Sequence, residues 1–116
     1  MEKLVIELSD SGRYGILLFP YVYTNDEISV IVPEGFSTDF NSVPRGLWNF
    51  FPPWLFPEAA VVHDYLYRHP DITSRALADR THRKIMIENG APKWLAWSAW
   101  AALRTFGWAA WNRIPD

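Results

Sequence analysis

The sequence predicts a small α+β fold, with a short N-terminal antiparallel β-meander, an aromatic loop and then three α-helices. Short runs of aliphatic and aromatic residues near the N-terminus are separated by turn residues. In the second half, Pro, Ser and Gly stand where helices begin and end. The chain has 116 residues, of which 49% are hydrophobic and 21% are charged. This length and composition predict a single globular domain over residues 1–116.

Three segments in the first third of the chain have the composition of β-strands. They are Leu4–Leu8, Tyr14–Tyr23 and Ile28–Val32. Clusters of Ser, Asp, Asn and Gly between them are typical of tight turns. Because strands joined by tight turns pair with each other, we expect an antiparallel meander, with Pro20 at an edge or a bend.

Three helices are predicted after the loop. Pro57 suits the first turn of a helix over Glu58–Arg68. Residues 71–74 offer capping side chains for a second helix, which ends near Gly90. A third helix is expected over Pro92–Asn112. The loop before the helices, residues 35–57, is rich in Phe, Trp and Pro, so we expect it to pack on the core or to form a rim.

Composition excludes several classes of function. The formal net charge is −2, which does not suit a protein that binds nucleic acid electrostatically. The chain has no Cys, so disulfides and thiolate metal sites are excluded. No apolar run of the kind that marks a signal peptide follows Met1, and no segment reaches the roughly 20 apolar residues of a membrane span. We therefore expect neither export nor a transmembrane segment.

The candidate chemistry lies on the first two helices. His63 and Tyr67 are four residues apart and share a helix face. Asp79 lies in the middle of a stripe on the second helix that also contains Arg75, Ala78, His82 and Met86. If the two helices pack antiparallel, Asp79 can meet His63 or Tyr67. An imidazole bonded to a carboxylate through one nitrogen can take a proton from water through the other, provided that water can enter.

A structural interpretation competes with this catalytic one. The cluster of His63, Asp64, Tyr67 and Asp79 could be a buried polar network that fixes helix packing without catalysis. His82 could simply complete its stripe. The sequence leaves both interpretations open.

Much of the chain resembles an uncharacterised family of phage and bacterial proteins, a domain of unknown function. The matching motifs are PEGFSTDFNSVPR at residues 33–45, AAVVHDYLY at residues 59–67, and the segment Arg75–Met86. The sequence departs from the family pattern at His82, where an aromatic or aliphatic residue is usual. The resemblance implies a phage or prophage origin, and hence a location in the host cytoplasm or the virion.

A second resemblance is local. The motif His63-Asp64-x-x-Tyr67, with Asp79 on the next helix, is similar to the active-site helices of secretory phospholipases and of the parvovirus capsid phospholipase domain. This resemblance implies that His63 is the general base that activates water. It also implies that Asp79 orients His63 and that Tyr67 hydrogen-bonds Asp79. The activity implied is that of an esterase or phospholipase-like hydrolase.

The phospholipase resemblance also implies a calcium ion, or another divalent cation, with Asp64 as a ligand. The Gly-rich loop that completes the calcium site in those enzymes is missing before this helix. Asp39 could supply an oxygen instead, or could belong to an ordinary turn with Thr38. Arg45 could pair with Asp39 or bind an anionic substrate group.

The third helix carries a stripe of tryptophans. Its members are Trp94, Trp97, Trp108 and Trp111, with Ala101 and Arg104 between them, and Trp100 and Leu103 widen it. This stripe could close the protein core, or it could bind other phage proteins or a lipid surface. The second possibility gives an alternative function, that of a non-catalytic phage structural, assembly or host-interaction protein.

Overall fold

The computed structural model of the chain describes residues 4–8, 15–38 and 55–111. The chain divides into two compact units, residues 1–40 with the strands and residues 41–116 with the helices. This arrangement confirms the predicted α+β fold, with antiparallel strands before three helices. That the two units form one domain stays a prediction.

The first unit contains two small antiparallel sheets among its described residues. In the three-stranded sheet, β2 (Gly15–Leu17) lies between β1 (Ile6–Leu8) and β5 (Ser37–Thr38). In the other sheet, β3 (Tyr21–Thr24) pairs with β4 (Ser29–Val32). The meander is therefore split between two sheets.

The prediction of one strand over Tyr14–Tyr23 is wrong. Residues 18–20 separate β2 from β3, and the two strands belong to different sheets. Pro20 lies at this break, where its lack of an N–H group interrupts strand pairing. β5 was not predicted, because a two-residue strand has too few positions to show an alternating pattern.

The pairing of β3 with β4 follows from alternating burial. Tyr21 lies opposite Val32 and Tyr23 lies opposite Val30, and all four side chains are buried. Ile31, between the two buried valines, is exposed. A shift of one residue would expose this apolar set, so the pattern fixes the register.

The second unit contains α1 (Pro57–Arg68), α2 (Arg75–Glu88) and α3 (Lys93–Phe106), followed by a 3₁₀ turn at Gly107–Ala109. The first two helices begin and end close to the predicted positions. The third is shorter than the predicted Pro92–Asn112, because its α-helical part ends at Phe106.

Arg75 helps to end α3. Its guanidinium donates hydrogen bonds to the carbonyl oxygens of Leu103 and Arg104, at 3.0 and 3.3 Å. The last carbonyls of a helix have no partners within that helix, and a cationic side chain stabilises them. A residue on α2 therefore stabilises the C-terminal end of α3, where the Leu103 carbonyl also accepts a hydrogen bond from the backbone N–H of Gly107.

The buried face of α3 is not the tryptophan stripe. Ala96, Ala99 and Leu103 are fully buried, whereas Trp94, Trp97 and Trp108 are 70%, 48% and 69% exposed. The interpretation that these three rings close the core is therefore wrong. Ala and Leu repeat with the same helical period on another side of α3, and the small alanines allow close packing there. Among the helices of the described residues, none has the length and apolar character that crossing a membrane requires.

The N-terminus of α2 offers a test of the predicted capping. Ser74 accepts a hydrogen bond from the backbone N–H of Leu77 at 3.1 Å. We expect Ser74→Ala to lower the free energy of unfolding by about 1 kcal/mol, because this N–H loses its partner. Urea denaturation measures the change.

Ser98→Ala is the matched control. Ser98 is exposed on α3, and its hydroxyl donates to the carbonyl oxygen of Trp94 in the preceding turn at 2.7 Å. Its replacement should change the unfolding free energy by less than about 0.5 kcal/mol. Equal effects of the two substitutions would show that Ser74 is not a cap.

Candidate functional site

Asp79 is the centre of a buried polar cluster. Its side chain is completely inaccessible to solvent. Oδ1 is hydrogen-bonded to Nε2 of His63 at 2.8 Å and to the hydroxyl of Tyr67 at 2.5 Å. The prediction that α1 and α2 bring these three residues together is confirmed. The roles assigned to them stay predictions.

Two arginines bind the other side of the Asp79 carboxylate. Arg104 on α3 donates to Oδ2 at 3.0 Å, and Arg75 lies 3.6 Å from the same oxygen. Arg75 stands one helical turn before Asp79, a spacing that could have indicated the pair. Arg104 is 25 residues away and carries no local signal. The sequence analysis missed both as partners of Asp79.

The carboxyl group of Asp79 is held in its ionised form. Burial alone would raise its pKa, but the hydrogen bond and charge of His63 and the hydrogen bonds from Tyr67 and Arg104 lower the pKa below its ordinary value. Burial, and next the hydrogen bond to Asp79, raise the pKa of Tyr67, so its hydroxyl keeps the proton. Tyr67 is therefore a donor to Asp79 near neutral pH.

These protonation states assign the roles of the two nitrogens of His63. An ionised carboxylate can only accept hydrogen bonds, so Nε2 of His63 carries the proton that it donates to Asp79. In the neutral ring, Nδ1 then has a free lone pair and is an acceptor. Nδ1 is buried and has no hydrogen-bond partner among the described residues. The orientation is the one that a general base requires.

His82 faces the same imidazole. Its ring centroid lies 5.1 Å from that of His63, with the planes inclined by 75°. Nδ1 of His82 is also buried without a partner in the described part of the chain. Desolvation, with a smaller effect of His63, lowers the pKa of His82 to about 3. His82 is therefore neutral near pH 7.

Gly107 is packed against the hydroxyl of Tyr67. A Cβ atom at this position would lie 2.5 Å from the Tyr67 oxygen and 3.2 Å from Nη1 of Arg75. The ring of Trp111 meets Tyr67 edge-on, with centroids 5.2 Å apart. The turn after α3 therefore covers Tyr67, and only glycine fits at its first residue without a shift.

The residues predicted to bind a metal are not assembled by the described structure. Asp64 is 3% exposed, and its carboxylate lies 3.4 Å from the guanidinium of Arg68. Asp39, like the predicted substrate-binding Arg45, lies outside the described residues. Over residues 4–8, 15–38 and 55–111, no group of three or more His, Asp or Glu side chains could hold a metal ion.

Calcium needs six to eight oxygen ligands, so Asp64 paired with Arg68 does not by itself fit this ion. The calcium site stays a prediction.

The cluster is closed to solvent. His63 and Asp79 have no exposed surface, and Tyr67 has 1%. The catalytic interpretation assumed a place that water can enter from outside, and this conformation offers no such opening at His63. The arrangement of bonds fits a catalytic dyad, but catalysis would require a conformation that exposes Nδ1.

Comparison with known sequences identifies the family. The pattern of a protein family of unknown function, DUF1353, matches residues 16–103. The chain belongs to this family. The match confirms the uncharacterised family expected from the loop and helix motifs, whereas the phage origin and the phospholipase similarity stay predictions. No curated protein matches the chain, and no solved structure matches it.

Burial of neutral His82 predicts a loss of stability in mild acid. Below pH 6.5 the unfolded chain protonates this histidine, while the folded protein resists protonation down to about pH 3. His82 should therefore lower the free energy of unfolding by about 2 kcal/mol between pH 7 and pH 5. Urea denaturation at each pH measures this effect.

His82→Phe should reduce that pH dependence by about the same amount, because the ring is kept and its titration is lost. His69→Gln is the control, since His69 is only partly buried and lies outside the cluster. An unchanged pH dependence in His82→Phe would contradict the assignment.

Proposed function

We propose that the chain is a small hydrolase of phage or prophage origin, in which His63 activates water for attack on an ester bond. The observation that supports this proposal is the pairing of Nε2 with an ionised, buried carboxylate, while Nδ1 remains an unpartnered acceptor. Such a pairing fixes the imidazole tautomer and stabilises the imidazolium formed on proton transfer.

The proposed reaction is a direct attack by water. Nδ1 of His63 takes one proton from a water molecule as its oxygen bonds to the ester carbonyl carbon. The tetrahedral intermediate then collapses, the carbon–oxygen bond to the alcohol breaks, and the leaving oxygen takes the proton from Nδ1. Asp79 keeps its negative charge beside the imidazolium throughout, held in place by Tyr67 and Arg104.

The proposal includes two roles outside the dyad. Arg45 would bind an anionic group of the substrate, as a phospholipid headgroup provides. Asp64 would be a ligand of a divalent cation, a role that the phospholipase resemblance implies and that supplies no step of this reaction. Neither role enters the proton transfers at His63.

Substitution of His63 tests the proposed function. His63→Gln keeps an amide that can donate to Asp79 but removes the base, so we expect hydrolysis to fall at least about 100-fold. The assay uses a short-chain nitrophenyl ester and phospholipid vesicles, each with calcium and with a chelator. Melting temperatures confirm that the variant is folded.

His69→Gln is the matched control and should hydrolyse at the wild-type rate. Asp64→Asn tests whether Asp64 binds the cation. If hydrolysis by the wild type depends on calcium, hydrolysis by this variant should no longer depend on it. Wild-type protein without activity on either substrate, or activity unchanged in His63→Gln, would refute the proposal.

The exposed tryptophans favour a second candidate function. We call Trp94, Trp97 and Trp108 the Trp surface; it lies on α3 and the turn that follows. Arg83 stacks on Trp97 with 3.9 Å from the guanidinium carbon to the ring centroid. Trp and Arg are enriched at the centres of protein interfaces. In this alternative, the chain is a non-catalytic phage structural, assembly or host-interaction protein that binds another protein through the Trp surface.

This alternative predicts a complex that needs the Trp surface. The variant Trp94→Ala/Trp108→Ala should fold normally, because both rings are largely exposed. Virions or assembly complexes are purified from host cells that produce the phage. They should contain the wild-type protein and should lack this variant. Sedimentation with lipid vesicles tests the other possible partner. If the Trp surface binds lipid, wild-type protein should sediment with the vesicles and the variant should not.

Ile31→Ala, which removes an exposed apolar side chain from β4, is the control. Equal retention of wild type, control and tryptophan variant would contradict a docking role.

A further inference from the structure

His63 faces a second imidazole that the proposed reaction leaves unused. His82 stands three residues after Asp79 on α2, so both side chains point towards α1. It is 5% exposed and His63 is completely buried. Both rings have a buried Nδ1 atom without a partner among the described residues. Two such atoms on neighbouring rings are unusual, because a buried polar atom without a hydrogen bond destabilises the folded state.

We propose that one internal water molecule bridges Nδ1 of His63 and Nδ1 of His82. The ring centroids of His63 and His82 are 5.1 Å apart, so the two rings are neighbours that a single water molecule, within hydrogen-bond distance of both Nδ1 atoms, can join. Internal waters are typically found where buried polar groups lack protein partners.

The bridging water is also the one that His63 activates, an assignment that rests on the proposed function and on a conformation that exposes Nδ1 of His63 to the substrate. Asp79 fixes Nδ1 of His63 as an acceptor, so the water donates one hydrogen to it. With the proton of His82 on Nε2, Nδ1 of His82 accepts the other hydrogen. Both hydrogens are then held, and the lone pairs of the oxygen are available for attack on a carbonyl carbon.

The two histidines have different parts in this arrangement. His63 takes the proton, because it is the histidine whose other ring nitrogen is bonded to the carboxylate of Asp79. His82 has no bonded carboxylate among the described residues, and its low pKa, caused by burial and by His63, keeps it neutral. His82 therefore orients the water and does not act as the base.

Two substitutions of His82 test the inference. His82→Phe removes the nitrogen and keeps a ring, whereas His82→Gln keeps a group that can hydrogen-bond the water. We expect His82→Phe to lower kcat about 10- to 100-fold with little change in KM, and His82→Gln to recover part of the loss. Because a purely structural role would not follow hydrogen-bonding capacity, the order of the two variants is informative.

A crystal structure at high resolution shows the water directly. The expected result is density within hydrogen-bond distance of both Nδ1 atoms in the wild type and no such density in His82→Phe. The ¹⁵N resonance of Nδ1 of His63 should also shift between these two proteins.

The outcomes separate this inference from the proposed function. Wild-type hydrolysis that is unchanged in His82→Phe overturns the inference and leaves the role of His63 intact. Missing density between the nitrogens overturns it as well. Zinc or nickel alone could raise the melting temperature of the wild type and not that of His82→Phe. That result would place a metal ion between the two histidines and overturn the inference of a bridging water. If the water is present but the wild-type protein does not hydrolyse esters, the bridge is supported. Its role as the nucleophile and the proposed function are then both refuted.

Discussion

The buried carboxylate of Asp79 is the interaction on which the helical unit depends. A charge removed from water is costly unless neighbouring groups replace its hydration. Here the replacements come from all three helices, with His63 and Tyr67 on α1, Arg75 on α2 and Arg104 on α3. The carboxylate therefore sets the relative register of the helices, because a slip of one turn in α1 or α3 would leave it unpaired.

Stability and chemistry are coupled through this residue. Removing one member of a buried ion pair typically costs about 3–5 kcal/mol, because the partner charge remains. Substitution of Asp79 would leave Arg104 and His63 without their acceptor, whether or not the cluster is catalytic. His63 and His82 are better positions for separating the two roles, because each has one ring nitrogen without a hydrogen-bond partner among the described residues.

The sequence predicts the helices and the meeting of His63 with Asp79 because both depend on local periodicity. Residues spaced by three and four positions share a face, and short connections make neighbouring helices antiparallel. It does not predict the contact of Arg104 with Asp79 or the packing of Gly107 on Tyr67, since these depend on how α3 ends. The prediction that the tryptophans close the core failed for a physical reason. Helix α3 has two apolar faces with the same period, and hydrophobicity alone does not show that the face with the smaller side chains is the buried one.

A network that serves only packing is expected to satisfy all its polar atoms, because in a medium of low dielectric constant each unpaired atom weakens the fold. The Asp79 cluster meets that expectation at the carboxylate and departs from it at the two Nδ1 atoms. This departure, and not the presence of histidines in the core, is the observation that favours the proposed site over a purely structural network. The Trp surface does not compete with this interpretation, because it lies on a side of α3 other than that of the buried Ala96 and Leu103. Docking and chemistry could therefore coexist in one chain.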